Sequence, residues 1–187
     1  MIQLHDVEQG SPEWQELRAP LYTGSNADKL LKFGAIEYSR AGGGSFGGNF
    51  FTRRGHLLEE EAIELYQQIT GQIGIRLASG RKVGFVTNSA YPGCGYSPDD
   101  LYPDRTIEVK AFTAEQHLAI LNGEIPFKVL AQCHFGMMIC GKELCDFLPY
   151  NPSLDVDQAF KIITIRRRRS IVDNFKRKLA AKEAVKL

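Results

Sequence analysis

Glu108 and Lys110 stand two residues apart in Thr106–Phe112, a run whose β-branched and apolar residues predict a strand. Successive strand side chains point to opposite faces, so the Glu108 carboxylate and the Lys110 ammonium share one face and Val109 takes the other. A charged pair on one face of an otherwise apolar strand is costly unless it has a task. Asp99, in the Gly-, Pro- and Asp-rich loop from Pro92 to Pro103, can reach the same point. Two carboxylates and one ammonium then converge. Hard oxygen ligands of this kind suit Mg²⁺ or Mn²⁺. A lysine beside them can orient or help deprotonate a water, while the ion stabilises crowded phosphoryl oxygens during in-line attack. The competing reading is a surface ion pair on an edge strand. Asp followed by Glu-x-Lys is a common pattern, so the flanking sequence has to decide.

The elements that must position these groups alternate between helical and extended patterns. Ser11 and Pro12 open a helix over 11–18, with Trp14 and Leu17 on one face. A second short helix carries Ala27, Leu30 and Leu31, with Thr23 or Ser25 as its cap, and its N-terminus is suited to an anion. The segment 41–49, AGGGSFGGN, lacks the phosphate-loop pattern and reads as a surface loop. Gly55 to Gly71 predicts a helix with Leu58, Ala62, Leu65 and Ile69 as its buried stripe and Glu60 exposed; Glu59 and Glu61 flank that stripe on either side. Strands are predicted over 72–77 and 83–87 around a turn at Gly80-Arg81, and again over 143–149 and 159–166. Helices are predicted over 113–122, from Pro126 to about Ile139, and over a basic 168–185. This alternation implies a sheet covered by helices.

The 187 residues suit one domain over 1–187. Residues 161–187 hold ten Lys or Arg against two acids, a local charge of +8, while residues 1–160 carry −7. A basic end on an acidic body fits either a polyanionic partner or a solvated helix. No apolar run is long enough to span a bilayer. Met1–Gly10 carries Asp6 and Glu8 without an apolar stretch, so it does not read as a secretory signal, and a cytoplasmic location with no membrane partner is expected. Cys133, His134, Cys140 and Cys145 fit no standard zinc module, so the cysteines read as buried thiols. His134 reads as a packed residue and His56 as a helix-start residue.

Four blocks in order, from about Glu8 to Tyr150, make the chain resemble the lambda exonuclease/YqaJ-type recombinase family of the PD-(D/E)xK nucleases. The first is Gln9-Gly10, Trp14, Leu17-Arg18 and Thr23-Gly24-Ser25. The second runs from Gly55 through Glu59 and Ala62, with Leu65-Tyr66 and Thr70-Gly71. The third joins Gly95-Tyr96-Ser97-Pro98-Asp99 to Ile107-Glu108-Val109-Lys110. The fourth is Ala131-Gln132, Met137, Cys145-Asp146-Phe147 and Tyr150.

The resemblance implies an α/β fold with a restriction-endonuclease-like core, a mixed central sheet flanked by helices. It also implies roles. Asp99, Glu108 and the Val109 carbonyl would hold Mg²⁺, with Mn²⁺ as a substitute, and Lys110 would be the catalytic lysine. Glu59 would support the metal site, and Gln132 would face the substrate. Arg18, Ser25 and Ser97 would hold a terminal 5′-phosphate. The implied activity is 5′→3′ exonuclease action on double-stranded DNA, by a ring-shaped homotrimer working with a single-strand annealing protein. The chain departs from the pattern in two places. Asp100 replaces the glycine that usually follows Ser-Pro-Asp, and Thr87-Asn88 stand where the family has an upstream acid. The rivals are an endonuclease or nicking enzyme on the same fold, and a non-catalytic DNA-binding module.

Overall fold

A computed structural model describes residues 1–34 and 50–183, so the 41–49 reading and the side chain of His56 lie outside the described residues. The elements begin with β1 (Ile2–His5), α1 (Pro12–Arg18), β2 (Tyr22–Thr23), a 3₁₀ turn (Gly24–Asn26) and α2 (Ala27–Phe33). Then come α3 (Phe50–Thr70), β3 (Phe85–Asn88), β4 (Cys94–Tyr96), β5 (Asp100–Leu101) and β6 (Arg105–Ala111). The rest are α4 (Ala114–Leu121), α5 (Phe127–Cys140), β7 (Leu144–Tyr150), β8 (Ile163–Arg166) and α6 (Arg169–Glu183).

The architecture is mixed α/β. Among the described residues the strands form two four-stranded sheets, ordered β1-β3-β4-β2 and β5-β6-β7-β8, where one central sheet was expected. Both are mixed. β4 runs parallel to β2 but antiparallel to β3, and β6 runs parallel to β7 but antiparallel to β5. The split follows from the Pro92–Pro103 segment. Its glycines and prolines predict a loop throughout, yet its two short strands join different sheets, β4 to the first and β5 to the second.

In the second sheet β6 is paired on both edges. Ile107 and Val109 pack against Ala62, Ile63 and Tyr66 of α3. The opposite face lies under α5, as the period-two alternation of β6 requires. Helix α5 is buried over ten residues from Val129 to Cys140, which fits a helix apolar all round. Its other side packs against β3, β4, α2 and α6, where Tyr22, Leu30, Phe135, Val172 and Phe175 close the largest apolar cluster. The basic end of the chain is therefore anchored: α6 inserts Val172 and Phe175 while Arg166, Arg168, Arg169, Lys176 and Arg177 stay exposed.

Several local expectations change. Ser11 caps α1 by accepting from the Trp14 N–H, as expected, and Gly141 ends α5 in the left-handed conformation. Neither Thr23 nor Ser25 caps α2 with its side chain; both hydroxyls accept instead from Arg18. The buried stripe of α3 turns toward Ile63 and Tyr66, leaving Ile69 exposed, because the Tyr66 hydroxyl donates to buried Asp146 at 2.7 Å. Residues 72–77 form no strand. They contribute one bridge, Arg76 to Lys82, closed by a tight turn with Gly80 at φ 83°.

Candidate active site

Glu108 is fully buried, and three side chains hold its carboxylate. Tyr96 donates from its hydroxyl to Oε2 at 2.5 Å, Gln132 donates from Nε2 to Oε1 at 2.5 Å, and Lys110 donates from Nζ to Oε1. The Lys110 ammonium also reaches the Val109 carbonyl at 3.1 Å. Asp99 enters from the bend before β5, its Oδ2 accepting from the Val109 N–H at 2.6 Å. Asp99, Glu108, Val109, Lys110 and Gln132 thus meet around one point, from β6, α5 and the turn before β5.

A groove of about 740 Å³ opens onto this point. Glu59, Asp99, Val109 and Lys110 line one part of it, and Phe112, Thr113, Tyr150, Asn151 and Ser153 line another. Glu59 is the member of the Glu59/Glu61 pair that faces the groove; Glu61 accepts from the Tyr150 hydroxyl instead. Glu59 accepts from Lys82 Nζ at 2.7 Å.

The charges in the groove work on one another. Burial pushes the Glu59 carboxyl up to about 7, with repulsion from Asp99 adding to it against the pull of Lys82. Glu108 is pushed up to about 6 by burial, which the Lys110 charge only partly offsets. Burial opposes the Lys110 charge, but Glu108 and Asp99 outweigh it and hold the ammonium above its usual range. Burial beside Glu108 raises Tyr96, so its hydroxyl stays a donor. Carboxylates whose charge is opposed by burial are a setting in which a divalent cation is favoured.

The residues fit such an ion. Two of the three oxygens expected to ligate, those of Glu108 and Val109, already hold a cation, the Lys110 ammonium. All three expected ligands are hard oxygens. Among the described residues no three His, Cys, Asp or Glu side chains cluster in a metal-holding arrangement, so the protein would supply two carboxylates and a backbone carbonyl. That donor set suits Mg²⁺, which keeps several of its waters.

Arg18 forms a second cluster. Its Nη2 donates to Ser25 at 3.0 Å and to Thr23 at 3.3 Å, and its guanidinium stacks on Trp14 at 4.6 Å. The Trp14 indole N–H donates to Ser97 at 2.9 Å, which ties this cluster to the Ser97-Pro98-Asp99 turn. Gln9 secures the same turn through the Pro98 carbonyl. Burial lowers the Arg18 pKa, yet its Nε is buried without a hydrogen-bond partner. Among the described residues Arg18 makes no carboxylate contact. A desolvated guanidinium held by hydroxyls retains its capacity for an oxyanion.

His134 is packed, its Nδ1 accepting from the Arg168 N–H, and burial lowers it to about 4. All four cysteines are buried, and none is in a disulfide. Asp100 turns away from the groove, fully buried against Arg76, and needs no positive φ. Sequence reasoning assigned no role to Tyr96 or Lys82. Nothing local marks them, because Glu108 lies twelve residues from Tyr96 and Glu59 lies twenty-three from Lys82. Gly24 and Gly136 are the nearest thing to a signal. A Cβ on either would lie within 3 Å of the Tyr96 ring.

Known structures share this arrangement of elements. The alkaline exonuclease LHK-Exo from Laribacter hongkongensis, in complex with dAMP, matches at TM-score 0.75 and 23% identity, over 93% of this chain and 91% of that one. A second LHK-Exo structure matches at TM-score 0.72 and 22% identity over the same shares. A phage related exonuclease from Haemophilus somnus 129PT matches at TM-score 0.56 and 16% identity, over 89% of this chain and 93% of that one. The fold is that of these exonucleases. It agrees with the resemblance drawn from the motifs. No protein-family model matches the sequence, and no curated protein matches it.

Proposed function

We propose that this protein is a Mg²⁺-dependent deoxyribonuclease of the lambda exonuclease/YqaJ type, a 5′→3′ exonuclease on double-stranded DNA. The observation that carries the reading is that Asp99, Val109 and Lys110 line one groove, with buried Glu108 paired to Lys110 behind them. The exonuclease fold supports it. In this reading β5-β6-β7-β8 with α3 and α5 is the restriction-endonuclease-like core, within a single domain over 1–187.

The ion, held by Asp99, Glu108 and the Val109 carbonyl, would supply Lewis acidity toward a phosphodiester oxygen. The chain's own groups do the rest. Lys110, kept cationic by its carboxylate neighbours, donates to and orients the attacking water or a phosphoryl oxygen. Gln132 and Tyr96 hold the Glu108 carboxylate in one orientation. Glu59, on the groove wall and paired to Lys82, would support the metal site or its water. Arg18, Ser25 and Ser97 would receive a terminal 5′-phosphate, which gives action from ends in place of internal cutting. Recognition would run through phosphates, without sequence preference. A homotrimer and a single-strand annealing partner belong to the same proposal. No helix among the described residues is long and apolar enough to cross a membrane.

End-labelled linear and closed circular duplexes, digested with and without Mg²⁺, test this. Loss of linear DNA alone, dependent on the ion, is expected. Equal loss of both would favour an endonuclease, and no loss of either would favour a non-catalytic module.

A further inference from the structure

We propose that Arg76 is a positioning residue for the metal ligand Asp99, acting through its bidentate pair with buried Asp100. This rests on the metal-site reading above. Arg76 donates from Nη1 to Asp100 Oδ1 at 2.9 Å and from Nη2 to Oδ2 at 3.2 Å. The Leu101 N–H donates to the same Oδ1 at 2.8 Å, so the fully buried carboxylate is held from three directions. Asp99 sits in the bend that leads directly into β5, so its backbone is fixed by whatever fixes Asp100. Anchoring Asp100 in the interior holds the start of β5, and with it the bend from which Asp99 reaches the Val109 N–H and the groove.

The anchor has a stiff support. Arg76 sits on a tight hairpin, with a Leu77 N–H to Arg81 carbonyl bond of 2.9 Å and a bridge from Arg76 to Lys82. The Ile75 N–H donates to the Leu101 carbonyl at 2.6 Å, stitching the hairpin to the strand that carries Asp100. Lys82 ties the other arm to Glu59 across the groove wall. Gly74 is part of the device, since a Cβ there would lie 2.3 Å from Asp100 Oδ1. A glycine after Ser-Pro-Asp has no side chain to anchor. Here the turn is held by an ion pair that replaces that economy of space.

The sign of the effect separates positioning from simple charge. Removing a nearby cation would by Coulomb's law tighten the binding of another cation. Loss of positioning weakens it, and removing groups that orient metal ligands typically costs about 10–100-fold in affinity. The experiment is calorimetric titration of Mn²⁺ into the full-length protein, with thermal unfolding of each variant as a fold check. Wild type should bind Mn²⁺ and Asp99→Asn should not. Arg76→Gln should weaken Kd by about 10-fold or more, and Arg76→Lys, which keeps the charge without the fork, should fall between. Unchanged or tighter binding by Arg76→Gln overturns the proposal. Should that variant fail to fold because Asp100 is left buried and unpaired, Arg76→Gln/Asp100→Asn removes both charges, and the same two outcomes decide. Wild type that binds no Mn²⁺, or Asp99→Asn that binds like wild type, defeats the metal reading itself and this inference with it.

Discussion

Tyr96→Phe removes one oxygen from the protein and leaves its shape intact. The ring fills a slot that Gly24 and Gly136 keep open, and Phe fits the same slot, so no cavity forms. The change falls on Glu108 Oε2, fully buried, which loses the donor that holds it at 2.5 Å. A hydrogen bond to a charged group contributes about 1.5–3 kcal/mol, and leaving a buried acceptor unsatisfied lies in the same range. Urea unfolding at neutral pH should therefore show a loss of about 2 kcal/mol with an unchanged m-value. Because the freed oxygen belongs to an expected metal ligand, the exonuclease rate at fixed Mg²⁺ should fall about 10–100-fold. Gly136→Ala offers a contrasting perturbation. Its Cβ would lie 2.4 Å from the Tyr96 ring, so it displaces the whole ring and should cost more than about 2 kcal/mol. If Tyr96→Phe unfolds at the wild-type urea midpoint and cleaves at the wild-type rate, the Tyr96–Glu108 bond does not hold the site and the reasoning fails.

Lys110→Ala should abolish cleavage while DNA binding measured by gel shift stays near wild type; residual cleavage above about 1% would remove the lysine from the chemistry. Arg18→Ala should erase the difference in initial rate between 5′-phosphorylated and 5′-hydroxyl linear ends, and a wild type that already treats both ends alike would refute the phosphate pocket. His134 has a folded pKa of about 4 against its ordinary 6.5, so its stabilising contribution is complete above 6.5 and is lost as pH falls toward 4. Between pH 7 and 4.5 wild type should lose about 2 kcal/mol more than His134→Gln by urea unfolding, and equal losses would place the acid sensitivity elsewhere. Neutralising Arg166, Arg168, Arg169, Lys176 and Arg177 to Gln should flatten the salt dependence of DNA affinity if the basic surface from the end of β8 into α6 lies against phosphates; an unchanged slope assigns this segment to packing alone.

What the sequence determined by itself was chemistry carried by local order. Glu108 and Lys110 share a face because strand side chains alternate, and they remain together in β6. Ser11 and Pro12 start α1, and Gly141 stops α5, because capping depends on residues a few positions apart. The tertiary structure alone decided everything that depends on distant segments. It divided Pro92–Pro103 between two sheets, since strands of two or three residues exist only through their partners. It turned Glu59 into the groove, where helical geometry by itself had left Glu59 and Glu61 both open. It sent the Thr23 and Ser25 hydroxyls to Arg18 in place of a helix cap, and it brought Tyr96 to Glu108 and Arg76 to Asp100. Such pairs leave no periodic trace along the chain. Their energy comes from burying polar groups that must then find one another in space.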